Sequence, residues 1–255
     1  MLLRPAILPI LLSLAACGGS TSVPFETISE STVSNATLGS EVDRTSAPGQ
    51  ISFDPNPATE TSLTFVRDVR RDSEGFEGYA TEDASSVYLR SGSGNSSVAV
   101  IVSDQTVAEG YAGTIIARNA PTDLPLSGTA RYTGDYVALV TNEATGDHVT
   151  TITGDVALNA EFENLSVSGT IRGRQLESGE TLADLTLTPD GPPFVDGVST
   201  GFTSGGNLAG TEAVSGFFSA MIAGPTADEV VGSVKLNHET TDADLIEYGA
   251  FAVGH

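Results

Sequence analysis

Tryptophan is absent, cysteine occurs once, and lysine and arginine together number 11 in 255 residues. A single cysteine excludes an intrachain disulfide, so packing and hydrogen bonds alone must hold any core. The few cations face 33 acidic residues, giving a formal net charge of −22. That balance argues against nucleic acid as a partner, because a phosphate backbone requires a cationic face, and against direct contact with an anionic membrane surface. The charge reads as solubility and mutual repulsion at a crowded surface. Long apolar runs are missing after the first 16 residues, so no later segment is long enough to cross a bilayer as a helix. Helical periodicity is missing too: no amphipathic run at 3.6-residue spacing exceeds about two turns.

What is present begins with an address. Arg4 precedes an apolar run from Pro5 to Leu14, and small residues follow. This is the charged start, apolar centre and small-residue boundary of a secretory signal, here residues 1–16. The boundary Leu14-Ala15-Ala16-Cys17 resembles the bacterial lipoprotein box. The resemblance implies that Cys17 is the lipidation site, acylated (with palmitate, for example) and first in the mature chain. Gly18 in place of aspartate implies sorting to the outer membrane, with possible cell-surface exposure. Acyl chains anchor by hydrocarbon burial, roughly 0.8 kcal/mol per CH₂. Residues 17–50 are rich in Ser, Thr, Gly and acids and lack a sustained period, which predicts a flexible tether. A short first strand within residues 23–28 is the alternative.

From residue 51 the signals are β throughout: runs of Val, Ile, Thr, Phe and Tyr divided by Gly, Asn, Asp and Pro. A first block, 51–127, offers strands at 62–70, 75–81, 86–90, 97–103 and 110–118. Leu63 and Phe65 share one face of it, as do Val98, Val100 and Val102. It is short for a self-sufficient core and is expected to pack on the second block. The connection 119–128 carries two prolines and reads as a linker.

The second block, 128–255, offers eight strands at 132–141, 153–162, 165–173, 182–188, 197–203, 213–222, 229–238 and 246–253. Val156, Leu158, Ala160 and Phe162 share one parity, as do Leu165, Val167, Gly169 and Ile171. Val214, Gly216, Phe218, Ala220 and Ile222 form a third set, and Val230, Gly232, Val234 and Leu236 a fourth. Each set should face a core. Gly169, Gly201, Gly216, Gly232 and Gly249 fall mid-strand, where glycine needs a reason. Small barrels supply one, because their interiors mix small and large residues. The expected fold is all-β: an eight-stranded antiparallel β-barrel preceded by a smaller, handle-like β-sheet.

Three stretches carry a resemblance. They are "YTGDYVALV" from Tyr132, "GDVALNAEFENLSVSGTI" from Gly154 and "VSGFFSAMIAGPTADEVVGSV" from Val214. Together they resemble the C-terminal β-barrel of the transferrin-binding protein B family of bacterial surface lipoproteins. The last is the most specific, although its "FFSAMIAGP" is longer than the family's usual Phe-Tyr-Gly-Pro. The resemblance implies one handle and one barrel, where full-length family members carry two such lobes. Smaller relatives include factor H-binding and haemoglobin-binding lipoproteins. Their partners differ, so the resemblance assigns no partner-binding residue here.

Catalytic constellations are not evident. His148, His238 and His255 stand in no metal-ligand spacing, and His238 beside Glu239 would need further ligands. No G-x-S-x-G elbow occurs. "TSGGNLAG" from Thr203 lacks the lysine and following helix of a phosphate cradle, and "DGPPF" from Asp190 is a rigid turn. Asp228 and Glu229 would point to opposite faces of a strand. Asp242 and Asp244 lack EF-hand spacing. The reading is a non-enzymatic, outer-membrane-anchored binding protein, expected to be a monomer without a cofactor. Its partner would be a protein or an iron- or haem-bearing molecule. The alternative is a carrier holding a small hydrophobic solute inside the barrel.

Overall fold

The computed structural model describes residues 20–23, 26–31, 50–53, 63–81, 86–92, 97–104, 111–143, 148–164, 166–190, 198–206, 208, 213–239 and 244–255. Residues 1–16 and Cys17 lie outside the described residues.

Eight antiparallel strands close a barrel in chain order. They are β10 (Thr129–Asn142), β11 (His148–Glu161), β12 (Ser166–Leu176), β13 (Leu185–Pro189), β14 (Val198–Gly205), β15 (Ala213–Ala223), β16 (Glu229–Glu239) and β17 (Leu245–Gly254). The last closes on the first, with Val137 opposite Ala250 and Val140 opposite Glu247. Each expected strand is present, and the inward parities hold. Val156, Leu158, Ala160, Phe162, Val167, Ile171, Phe218, Ala220, Ile222, Val230, Val234 and Leu236 are buried in one interior cluster. The side chains of Leu165 and Val214 lie outside the described residues. The mid-strand glycines make room for rings. A Cβ on Gly232 would stand 2.0 Å from the Phe251 ring, and one on Gly249 would stand 2.0 Å from the Tyr136 hydroxyl.

A seven-stranded sheet covers one side of the barrel. Its order is β2 (Glu26–Ser31), β8 (Tyr111–Arg118), β7 (Ser97–Asp104), β6 (Ser86–Ser91), β5 (Glu77–Ala80), β4 (Leu63–Arg67) and β3 (Gln50–Phe53). Its inner face brings Phe76, Tyr88, Ala99, Ile101, Ala112 and Ile116 against Val137, Leu139, Met221, Val231, Ile246, Tyr248, Ala250 and Ala252 on the barrel's outer wall. Ala99 and Ile101 thus face the barrel, while the side chains of Leu63, Val98, Val100 and Val102 lie outside the described residues. The junction explains why β16 is buried on both faces from Glu229 to Val234. Arg118, 1% exposed, ties the layers by donating from Nη1 to the Ile222 carbonyl at 2.8 Å.

Two expectations are corrected. Residues 17–50 are expected as a tether, with a short strand within 23–28 as the alternative; β1 (Ser20–Val23), β2 and the first residue of β3 lie within them, which favours the alternative, while residues 17–19, 24–25 and 32–49 lie outside the described residues. The linker 119–128 contains β9 (Thr122–Pro125), which pairs antiparallel with β1. Neither β1 nor β9 exceeds four residues, too short for alternation to be legible, and each exists through a partner about 100 residues away. The β1–β9 ribbon lies over one mouth of the barrel. Thr122 and Leu124 are buried, Leu124 within the barrel's interior cluster, and Asp123 N donates to Pro225 O at 3.1 Å.

That Pro225 belongs to the corner between β15 and β16. Gly224 takes φ +81°, a backbone conformation glycine adopts without strain, and Ala227 takes φ +57°. Tyr132 donates its hydroxyl to Ala227 O at 2.6 Å, and burial with the nearby Asp228 charge pushes the phenol up to about 12. The stretch around "AGPTADE" is therefore a tied structural corner.

Candidate functional site

Two polar arrangements stand out, one inside the barrel and one outside it. Inside, Glu247 is fully buried on β17. Its Oε1 accepts from Tyr136 Oη at 2.7 Å and from Arg174 Nη2 at 2.7 Å. Its Oε2 accepts from Arg174 Nη2 at 2.6 Å and lies 3.0 Å from His238 Nε2. A carboxylate there requires the proton of His238 on Nε2. Arg174 Nη1 donates to the Ala183 and Gly206 carbonyls, each at 2.9 Å. Burial alone pushes the Glu247 carboxyl up. The Arg174 charge and the His238 and Tyr136 hydrogen bonds outweigh it and hold the group below its ordinary value.

A β-bulge puts Arg174 there. On β12 the inward residues are Val167, Gly169 and Ile171, so regular alternation would turn Gly173 inward and Arg174 outward. Between the pairs Asp155–Arg172 and Thr153–Gln175, β12 uses one residue more than β11. Gly173 sits at φ +58°, as a glycine-led bulge requires, and the parity flips so that Arg174 enters the barrel. Sequence reading ended this strand at Gly173 and missed the network. Gly249 on the inward parity was the available signal, since Glu247 lies two residues before it.

The interior is otherwise occupied by Tyr132, Tyr136, Phe162, Phe218, Phe251 and aliphatic side chains. Phe162, Phe218 and Ile222 among these side chains count against a solute carried in the lumen.

Outside, an open cleft of about 560 Å³ lies between the sheet and the barrel wall. One side is the 3-10 turn Val69–Arg71 with its flanks, giving Asp68, Arg70, Arg71, Asp72 and Ser73. The other is the start of β11 and the turn after β12, giving His148, Thr151, Thr153 and Glu177, with Tyr88 from the sheet. Asp68 caps the turn by accepting from Arg70 N. It also takes a two-pronged contact from Arg70 Nε and Nη2, both at 2.9 Å. These bonds, the side-chain contact foremost, hold its carboxyl down at about 2. Burial lowers His148, and Arg71 adds to the effect while Glu177 and the Thr150 hydrogen bond oppose it. The volume suits a ligand cleft, but the lining is charged and hydroxylated. It matches the polar surface of a partner better than an apolar small molecule.

The residues weighed from sequence do not converge. His148 is in the cleft, His238 is buried in the barrel, and His255 packs edge-on against Tyr132 at 6.0 Å. His238 meets Glu247 and not its neighbour Glu239, which is exposed. Asp228 and Glu229 lie at the corner and the start of β16. Asp190 and Asp244 are exposed at strand ends, whereas Asp242 and residues 191–194 lie outside the described residues. Thr203 is buried on β14, and Gly205 and Gly206 turn the chain at positive φ. Among the described residues, no three His, Cys, Asp or Glu side chains gather as metal ligands.

A closed eight-stranded barrel with a docked sheet defines the architectural class, and comparison with solved structures gives it a closer likeness. A variant of transferrin-binding protein B from Haemophilus parasuis aligns over 91% of this chain and 45% of its own, with TM-score 0.53 and 13% identity. Intact Ap-TbpB, solved with its N and C lobes, aligns over 90% of this chain and 46% of its own, with TM-score 0.51 and 13% identity. The chain thus has the fold of a transferrin-binding-protein-like lobe and spans just under half the length of those proteins. No family model matches the sequence, and no curated protein matches it significantly.

Proposed function

We propose that the chain is a non-enzymatic binding lipoprotein of the outer membrane, anchored through Cys17, that recognises a protein partner bearing iron or haem. The observation that carries this reading is the lobe fold shared with transferrin-binding protein B. The cluster of large side chains inside the barrel supports it further, because it directs recognition to outer surfaces such as the cleft. Arg70 and Arg71 stand in that cleft beside Asp68, Asp72 and Glu177, a mixed-charge lining that suits the polar surface of a protein partner.

The test immobilises residues 18–255 and passes iron-loaded transferrin, iron-free transferrin, haemoglobin and serum albumin over them. Saturable binding of an iron- or haem-bearing protein, but not of albumin, is expected. Charge reversal by Arg70→Glu with Arg71→Glu should weaken it about tenfold or more. Equal, non-saturable responses from all four proteins would reject the partner class.

A further inference from the structure

The ribbon of β1 and β9 ties the start of the chain to one end of the molecule. Ser20 pairs with Pro125 and Val23 with Thr122. β9 in turn is fixed to the barrel through Leu124 in its interior and through the Asp123–Pro225 hydrogen bond. The same mouth carries the β11–β12 turn, the β15–β16 corner and the chain terminus, where His255 N donates to Asp228 O at 3.1 Å. Cys17 precedes Ser20 by three residues, a reach of about 10 Å when fully extended. The cleft lies toward the other mouth, where His148 and Thr151 begin β11 and Glu177 follows β12. From Thr151 to Glu161, β11 covers about 33 Å along the strand, or about 25 Å along a barrel axis tilted by about 40°.

We infer that β1 turns the anchor into a short strut: the acyl group on Cys17 holds the ribbon-covered mouth of the barrel against a phospholipid surface and presents the cleft on the far side. This rests on the reading of Cys17 as acylated. The covered mouth carries exposed Asp123, Glu161, Glu163 and Asp190, which anionic headgroups repel. The orientation therefore comes from the anchor and the strand, not from attraction between protein and lipid. Leu126, 57% exposed and next to Pro125, is the apolar side chain placed where the anchor leaves the ribbon.

The test uses the full acylated chain in vesicles of phosphatidylethanolamine and phosphatidylglycerol. Acylation consumes the chain's single cysteine, so an introduced cysteine is labelled uniquely. A donor dye is placed at Ser127→Cys, beside the covered mouth, or at Glu180→Cys, in the turn beyond β12, with an acceptor on the lipid headgroups. Energy transfer from position 127 is expected to exceed that from position 180 about twofold or more, as a separation of about 25 Å along the barrel dictates. Thr21→Pro with Ser22→Pro removes two N–H groups from the ribbon and should bring the two efficiencies together. Equal transfer in the unaltered protein, or a difference that survives the prolines, overturns the strut. Failure to incorporate labelled palmitate or to float with vesicles overturns the acylation reading itself, a result distinguishable from equal transfer in protein that floats.

Discussion

Removing one member of the Arg174–Glu247–His238–Tyr136 network strands the others in the buried interior. Glu247→Gln or Arg174→Met should each cost about 3–5 kcal/mol, measured by urea unfolding at pH 7. Replacing all four with Met, Leu, Leu and Phe should recover most of that loss. Arg174 Nε and His238 Nδ1 have no hydrogen-bond partner among the described residues, so the intact network is an imperfect stabiliser. The same variants fix the pH dependence. The folded Glu247 carboxyl lies below its ordinary 4.5, so its contribution is full above that value. It falls away as pH drops through the lower folded value. The wild type should therefore lose stability below about pH 4.5 more steeply than the four-fold variant. These residues were hard to read from sequence because each looks ordinary in its own strand, and only barrel closure joins them.

At the scale of elements, the bulge in β12 decides which side of the barrel Arg174 occupies. Deleting Gly173 removes the extra residue and leaves Arg174 directly after the outward Arg172, so Arg174 stays inward, opposite Gly154, and the loss should stay well below the roughly 3–5 kcal/mol of Arg174→Met. Gly173→Ala keeps the extra residue and should cost about 1–2 kcal/mol, the usual penalty for an L residue in the left-handed region. Urea midpoints of these two variants beside Arg174→Met check that the network survives both changes to the bulge. The eight barrel strands were legible because long half-buried strands alternate visibly, as Val156 to Phe162 do. The four-residue strands β1, β3 and β9 were not legible, since their register is set by distant partners and not by their own pattern.

At the scale of the whole molecule, the sheet is part of the barrel's packing. Residues 128–255 alone would leave Val137, Leu139, Met221, Val231, Ile246, Tyr248, Ala250 and Ala252 without cover. That fragment should bind the dye ANS strongly and self-associate on a sizing column, whereas residues 18–255 together should do neither. An intact chain that binds ANS as strongly as the fragment would contradict the packing described. Packing of the first block on the second was foreseen from its small size. The wall it covers was not, because β16 and β17 carry apolar residues at both parities and the pattern alone does not say which set faces outward.

The pairing of β10 with β17 also dictates a timetable. Thr133 meets Gly254 and Asn142 meets Leu245, so the barrel closes only after the final ten residues arrive. Until then β10 and β16 are open edges, and the β1–β9 ribbon has no finished mouth to cover. A chain that emerges from its amino end cannot close this barrel until those residues are made, and long-range closure of this kind is intrinsically slow. The topology therefore commits the polypeptide to its closed shape last, at the seam between its first and final barrel strands.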